Sequence, residues 1–282
     1  MTPSVLATAF AFVVGLCVGS FLNVCISRWP ADLSVVRPRS RCPNCGHQLA
    51  WFENVPVVSW LVLRARCRSC QLPISAIYPL GEVLVGVLWA LCVSRWGPSF
   101  TALRVAVFLT LLTGVALTDL RHYLIPDGFT VTGLLWSLAT ALAAPFIGET
   151  LLFASPYDAL IGACAGAGLI AIVGWLGEVA LKREAMGMGD MTLMAFVGAA
   201  LGPPRTIVTV FLGAALGAVA FLAVVYPIAL VRRGRTAPQT ELSLGTGPVE
   251  LPLVPFGVFL TPAAAIMLIW GEELIDRLFL LS

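Results

Sequence analysis

Apolar residues fall along this chain in runs of about twenty, separated by short stretches where Gly, Pro and charge gather. That is the pattern of helices that cross a bilayer, not of half-buried strands. The runs predict spans near 5–26, 78–96, 100–118, 129–147, 157–180, 191–202, 206–231 and 255–275. The sixth has about a dozen residues, fewer than the ~17 a crossing needs, so it either tilts into its neighbours or is no crossing. The expected fold is therefore an all-α polytopic membrane protein with about eight transmembrane helices. No basic segment precedes the first run, which reads as a retained span and not as a cleaved signal peptide.

Polar residues between the runs set the orientation, because cytoplasmic loops retain Arg and Lys. With the amino terminus outside, the inner side receives Arg28, Arg37, Arg39, Arg41, Arg64, Arg66, Arg68, Arg121, Lys182, Arg183, Arg232, Arg233 and Arg235; the outer side receives Arg95, Arg104, Arg205 and Arg277. This asymmetry puts the loops 27–77, 119–128, 181–190 and 232–254 in the cytoplasm. Composition agrees: 59% of residues are apolar and 11% charged, too little charge to coat a soluble globule of this size. The net charge of +2 is spread beside the spans, not along a groove, which argues against nucleic acid as a partner and leaves the lipid bilayer. Residues 234–252, rich in Gly, Thr and Pro, carry no periodic pattern and read as a flexible loop.

The first cytoplasmic loop contains Cys42-Pro-Asn-Cys45 and Cys67-Arg-Ser-Cys70 with 21 residues between the pairs. Four soft ligands on two tight turns suit a tetrahedral zinc ion, and a cytoplasmic loop disfavours the alternative of two disulfides. A closed four-thiolate site has no open position, so its role is structural: it folds a loop too small for its own core. His47 competes as a ligand or lies just outside the cluster. Cys17, Cys25, Cys92 and Cys164 lie in apolar runs and read as packing residues.

Ionisable groups at span mouths are costly enough to be functional candidates. Asp119 ends the third span and Asp190 opens the sixth in Gly187-Met-Gly-Asp190. Two carboxylates brought close share a proton, the state in which one activates water and the other polarises a scissile carbonyl. Gly187 and Gly189 leave room for a substrate strand beside Asp190. The competing readings are a helix-capping role for Asp190 and a surface ion pair with Arg121 for Asp119. Spacing does not choose between Asp119 and Asp127 as the partner of Asp190. Glu82 and Asn23 lie inside spans and require polar partners or a role in methyl-donor or substrate binding. Glu53, Glu82, Asp127, Glu178 and Glu184 are candidates for an acidic entrance. The runs 162–168 and 213–217, made of small residues, read as close helix contacts.

Taken in order, Gly19-Ser-Phe-Leu-Asn23 with Arg28, the two cysteine pairs, Asn54-Val-Pro-Val-Val-Ser-Trp60, Tyr78-Pro-Leu-Gly-Glu82, Thr118-Asp-Leu-Arg121 with Ile125-Pro-Asp127, Gly187-Met-Gly-Asp190 and Pro255-Phe-Gly257 resemble the type IV prepilin leader peptidase and N-methyltransferase family. The resemblance covers nearly the whole chain. It implies a bifunctional enzyme of the bacterial inner membrane serving type IV pilus or type II secretion systems. Such an enzyme cuts the basic leader of prepilins or pseudopilins after Gly and methylates the new amino terminus from S-adenosylmethionine. It also implies that Asp119 and Asp190 form the catalytic pair, that residues 1–96 with the four-cysteine loop form the methyltransferase region, and that 97–282 form a six-helix aspartic peptidase domain. Thr192 stands where the family usually carries Lys, which removes a cation beside Asp190 and bears on the pH optimum. Val258 replaces the commoner Pro. Two other classes compete: an ion-coupled transporter, which also uses intramembrane carboxylates, and a non-catalytic zinc-loop assembly factor. Nothing in the spacing itself marks a methyl-donor site.

Overall fold

A computed structural model describes residues 5–148, 152–182, 186–227 and 255–279. Arg183, Glu184, Arg232, Arg233, Arg235 and the segment 234–252 lie outside the described residues. Within them, seven helices are long and apolar enough to cross a membrane and an eighth apolar helix is shorter, which matches the expected spans. The chain is a multi-pass membrane protein.

Helix α1 (Val5–Arg28) is followed by the four-cysteine loop, which includes the short helix α2 (Val58–Val62). Helices α3 (Ile77–Trp96), α4 (Phe100–His122), α5 (Asp127–Ile147) and α6 (Pro156–Leu181) follow. Then come α7 (Met188–Leu201), α8 (Pro203–Ala220), which a π turn extends to Val225, and α9 (Gly257–Phe279).

With hydrocarbon as solvent, helices gain little from hiding apolar side chains and associate through close contact and shared polar groups. Two crossings show this. On α1, a Cβ added at Gly15 would lie 2.8 Å from Gly86 Cα, and one at Gly19 would lie 2.8 Å from Glu82 Cα, so α1 and α3 touch backbone to backbone. Asn23 Nδ2 closes that crossing by donating to Tyr78 O at 3.0 Å. Between α6 and α7, a Cβ at Gly198 would collide with Gly162 O, and one at Gly166 would collide with Met194 O. The expectation for the run 162–168 is met at Gly162 and Gly166, whereas Gly168 has open space beside it.

Helix α7 explains the short sixth run. Its 14 residues span roughly 21 Å, and Leu193, Met194, Phe196 and Val197 are wholly buried. It packs against α5, α6, α8 and α9 as an inner helix. Its apolar composition reflects burial in protein, which a hydropathy pattern reads as membrane. The third span is longer than the pattern predicts: α4 continues to His122 and ends where Tyr123 takes a left-handed cap with φ 53° and donates its N–H to Asp119 O. Asp119 therefore lies inside the last turn of α4, not beyond it.

Helices α1 and α5 are joined near the predicted cytoplasmic face. Trp29, just past the end of α1, meets Phe129 edge to face at 4.4 Å. Its ring also fills the space over Gly128, where an added Cβ would collide with the indole.

Candidate functional site

The four-cysteine loop is built from two copies of one turn. In the first, Cys42 N–H donates to His47 O and Gly46 N–H to Cys42 O; in the second, Cys67 N–H donates to Leu72 O and Gln71 N–H to Cys67 O. Gly46 and Gln71 occupy the same left-handed position with φ 71° and 58°, and each turn is closed by a bridge, Arg41 to Gln48 and Arg66 to Pro73. The turns face one another with Cys42 Sγ 3.9 Å from Cys70 Sγ and Cys45 Sγ 3.9 Å from Cys67 Sγ. All four sulfurs lie within 4.8 Å of one another. A tetrahedron with metal–sulfur bonds of about 2.3 Å has edges of roughly 3.8 Å, so the cluster could hold a metal ion with little adjustment.

Two of the four thiols are predisposed to ionise, while at Cys45 the His47 amide is outweighed by burial and the neighbouring thiols, which push its pKa up to about 11. The backbone N–H groups of Cys45 and Asn44 aim at Cys42 and lower its pKa from the usual value to about 6. The backbone N–H of Leu72 likewise lowers that of Cys70. His47 is not one of the four ligand positions. Its Nε2 lies 3.1 Å from Glu53 Oε2, and Glu53 also accepts from the Ala50 N–H at 2.8 Å. That amide, with the His47 ring, holds the Glu53 carboxyl below the usual carboxylate range.

Glu82 and Asn23 both find partners. Glu82, 9% exposed in α3, accepts from the Val57 N–H at 2.8 Å. Val57 has φ 59°, a costly conformation for a β-branched residue, and the Glu82 carboxylate fixes it. Glu82 thus holds the loop on α3, and Asn23 holds α1 to α3. Glu53 and Glu82 are buried, which removes them from the expected acidic entrance; among the described residues Asp127 and Glu178 remain exposed.

The aspartates meet differently. Asp119 is 5% exposed, and its Oδ2 accepts from the Val258 N–H at 3.2 Å across 139 positions of sequence. The Gly257 amide also faces it. The carboxylate therefore sits at the amino terminus of α9, where unsatisfied N–H groups and the helix dipole favour an anion. Gly257 is required by space: a Cβ there would lie 2.8 Å from Asp119 Oδ2. In the sequence, Pro255-Phe-Gly257 stands out only as part of the family resemblance. The signal available was a Gly opening an apolar run on the predicted cytoplasmic side.

Asp190 lies in the first turn of α7, whose cap position is Gly187. Its carboxylate turns back toward the Gly187 amide and lies within electrostatic reach of Asp119. The helix-capping reading is met only in part, since Asp190 stands three residues past the cap. Arg121 is exposed, and no ion pair joins it to Asp119 among the described residues. Ile125 packs between the two glycine turns: a Cβ at Gly189 would lie 2.8 Å from Ile125 Cβ, and one at Gly257 would lie 2.9 Å from its Cδ1. Thr192 donates its hydroxyl to Gly189 O at 3.1 Å and so braces the turn. Asp127 is exposed at the first residue of α5, a position where a helix welcomes an acidic group.

Comparison with known proteins bears on both halves. Residues 13–96 match the bacterial peptidase A24 N-terminal domain, and residues 106–222 match the type IV leader peptidase family. A prepilin leader peptidase/N-methyltransferase of Myxococcus xanthus is 45% identical over 84% of this chain and 67% of its own length. One of Stutzerimonas stutzeri is 33% identical over 94% of this chain and 91% of its own. A type 4 prepilin-like proteins leader peptide-processing enzyme of Escherichia coli is 36% identical over 68% and 76%. No solved structure matches.

Proposed function

Because the chain belongs to the type IV leader peptidase family, we propose that it is a bifunctional prepilin peptidase and N-methyltransferase whose hydrolytic pair is Asp119 and Asp190. The observation that carries this reading is the approach of two carboxylates from distant helices, one at the end of α4 and one at the start of α7, within electrostatic reach of one another and beside Gly187, where an added Cβ would meet nothing closer than 3.9 Å.

The chemistry follows from a pair that shares one proton. The ionised carboxylate removes a proton from a water molecule held between the two, and the resulting hydroxide attacks the scissile carbonyl carbon. The protonated carboxyl meanwhile donates a hydrogen bond to the carbonyl oxygen and passes its proton to it. When the tetrahedral intermediate collapses, the departing amine takes the proton first removed from water, a hydroxyl of the intermediate returns its proton to the other carboxylate as the new C=O forms, and the original state returns. Two backbone N–H groups of α9 keep Asp119 oriented throughout. Gly187 leaves room for an extended strand, whereas Gly189 is packed on Ile125, and the exposed Asp127 and Glu178 complement a basic leader.

The substrate is a prepilin or pseudopilin whose leader is cut after Gly at the cytoplasmic face of the bacterial inner membrane, with the amino terminus of the enzyme outside. The basic loop between α1 and α3 and the arginine asymmetry support that sidedness. Residues 97–282 carry the peptidase and residues 1–96 carry methyl transfer. The ion in the four-cysteine cluster is zinc, which cross-links the loop and offers no open position for chemistry. S-adenosylmethionine supplies the methyl group when bound. Glu82 is engaged with Val57 in the loop and Asn23 with Tyr78 in α3, so the first positions the loop and the second joins α1 to α3, and methyl transfer rests on the relatives' naming.

Purified protein incubated with a prepilin and labelled S-adenosylmethionine separates the activities. Asp119→Asn and Asp190→Asn should each lower cleavage by at least about 10³-fold with membrane insertion and metal content unchanged. Retained cleavage in either variant defeats the assignment. A non-catalytic assembly factor would tolerate both changes.

A further inference from the structure

Helix α1 has two faces with different partners. Gly15, Gly19, Leu22 and Ile26 form the face turned to α3 and α4. Cys17, Ser20, Phe21, Val24 and Arg28, at helical spacing on the opposite side, line a cavity of ≈ 440 Å³ that the four-cysteine loop closes with Arg39, Trp51 and Asn54. From Cys17 to Arg28 this face rises about 16 Å, roughly the hydrocarbon depth of one leaflet. Its deep end is open and mostly apolar, with Phe21 54% exposed and the Ser20 hydroxyl as its one polar group; its shallow end carries two guanidiniums, the Ser40 hydroxyl and the Asn54 amide.

Charge around the cavity is predominantly positive. The segment 28–77 holds Arg28, Arg37, Arg39, Arg41, Arg64, Arg66 and Arg68 against Asp32 and Glu53, and Glu53 is buried on His47 and Ala50. A basic leader peptide is repelled here. Arg28 is fixed by donating to Ser34 O at 2.9 Å, which holds its guanidinium at the cavity mouth. Trp51, 77% exposed on the same rim, suits the level of lipid headgroups. We infer that this cavity between α1 and the four-cysteine loop is a binding site for an anionic phospholipid, with the headgroup phosphate between Arg28 and Arg39 and an acyl chain along Cys17, Phe21 and Val24. The lipid seats the loop on the inner leaflet, on the face of α1 away from the aspartates. The inference rests on the proposed topology but not on the proposed hydrolysis.

The test uses the full, zinc-loaded chain in nanodiscs of phosphatidylcholine with or without phosphatidylglycerol. Lipid retained after transfer to detergent is counted by native mass spectrometry, and amide exchange is followed over residues 35–56. Phosphatidylglycerol should be retained in preference to phosphatidylcholine and should protect those amides. Arg39→Gln should lower the preference about fivefold, as expected for one arginine near a charged bilayer. Arg39→Lys should keep most of it, and Arg28→Gln gives a second reading should Arg39→Gln fail to fold. Inorganic phosphate at the same concentration should give no protection, since it lacks the chain. Equal retention of both lipids, unchanged preference in the arginine variants, or protection by phosphate or S-adenosylmethionine in place of phosphatidylglycerol each overturns the inference. Asp190→Asn protein should behave as the unaltered chain, so loss of the lipid reading and loss of the hydrolytic reading are separately visible.

Discussion

The four-cysteine loop and the aspartate site solve one problem, fixing a few polar groups in place, by opposite means. In the loop the groups are near in sequence: each pair of cysteines is organised by hydrogen bonds spanning nine residues or fewer, and the two turns are drawn together through four sulfurs. At the aspartates the groups are remote. Asp119 reaches Val258 and Asp190 through helices held by glycine contacts at α6–α7 and by the start of α9. The loop should therefore depend on its metal and survive damage to the helix bundle, whereas the carboxylate pair should depend on packing and survive loss of the metal.

The sharpest way to break the contrast is Gly198→Val. Its Cβ would fall on the Gly162 carbonyl, and rigid backbone on both sides cannot yield, so destabilisation of about 3 kcal/mol is expected, the upper end of overpacking costs. Cleavage should be lost and thermal unfolding in micelles should shift down, while metal content stays at its original level. Next comes Cys67→Ser. Metal should leave, protease should cut within 35–75, and methyl transfer should fail, while leader cleavage stays within about a factor of three because the sites share no partners. If cleavage falls as far as methylation, the two regions are not independent.

Gly257→Ala acts on a single contact. The added methyl meets Asp119 Oδ2, and the expected loss is about tenfold in cleavage, ~1.4 kcal/mol, with little change in unfolding temperature. The smallest effect concerns pH. The Glu53 carboxyl is held below its usual range by the Ala50 amide and His47, so its contribution to the loop is fully present above the unfolded value of about 4.3 and is lost as pH falls through the lower folded value. Amide exchange over 47–57 should rise across that acid window, and Glu53→Gln should flatten the dependence.

Much of this was legible in the chain. The spans follow from apolar runs because lipid demands them, and the four-cysteine cluster follows from spacing because metal ligands tolerate few geometries. The short run at 191–202 carried its own warning, and α7 is an inner helix. What was not legible depends on contacts between distant segments. Nothing local in Gly257 announces that a carboxylate from α4 rests on its amide, and nothing local in Glu82 announces that it holds the strained amide of Val57. A buried acid in a span looks the same on paper whether it performs chemistry or fastens a loop. Burial distinguishes Asp119 from Asp127, since only the first is enclosed.

Trp29 has a consequence for how this architecture can be recombined. Its ring occupies the hollow over Gly128 and meets the edge of Phe129, so it acts as a pin between the half that carries the cysteines and the half that carries the carboxylates. Chimeras that exchange the first half between relatives must bring a matching indole and glycine together. Otherwise the two halves, each folded, would dock askew at the junction leading into Ile125 and the floor beneath the aspartates.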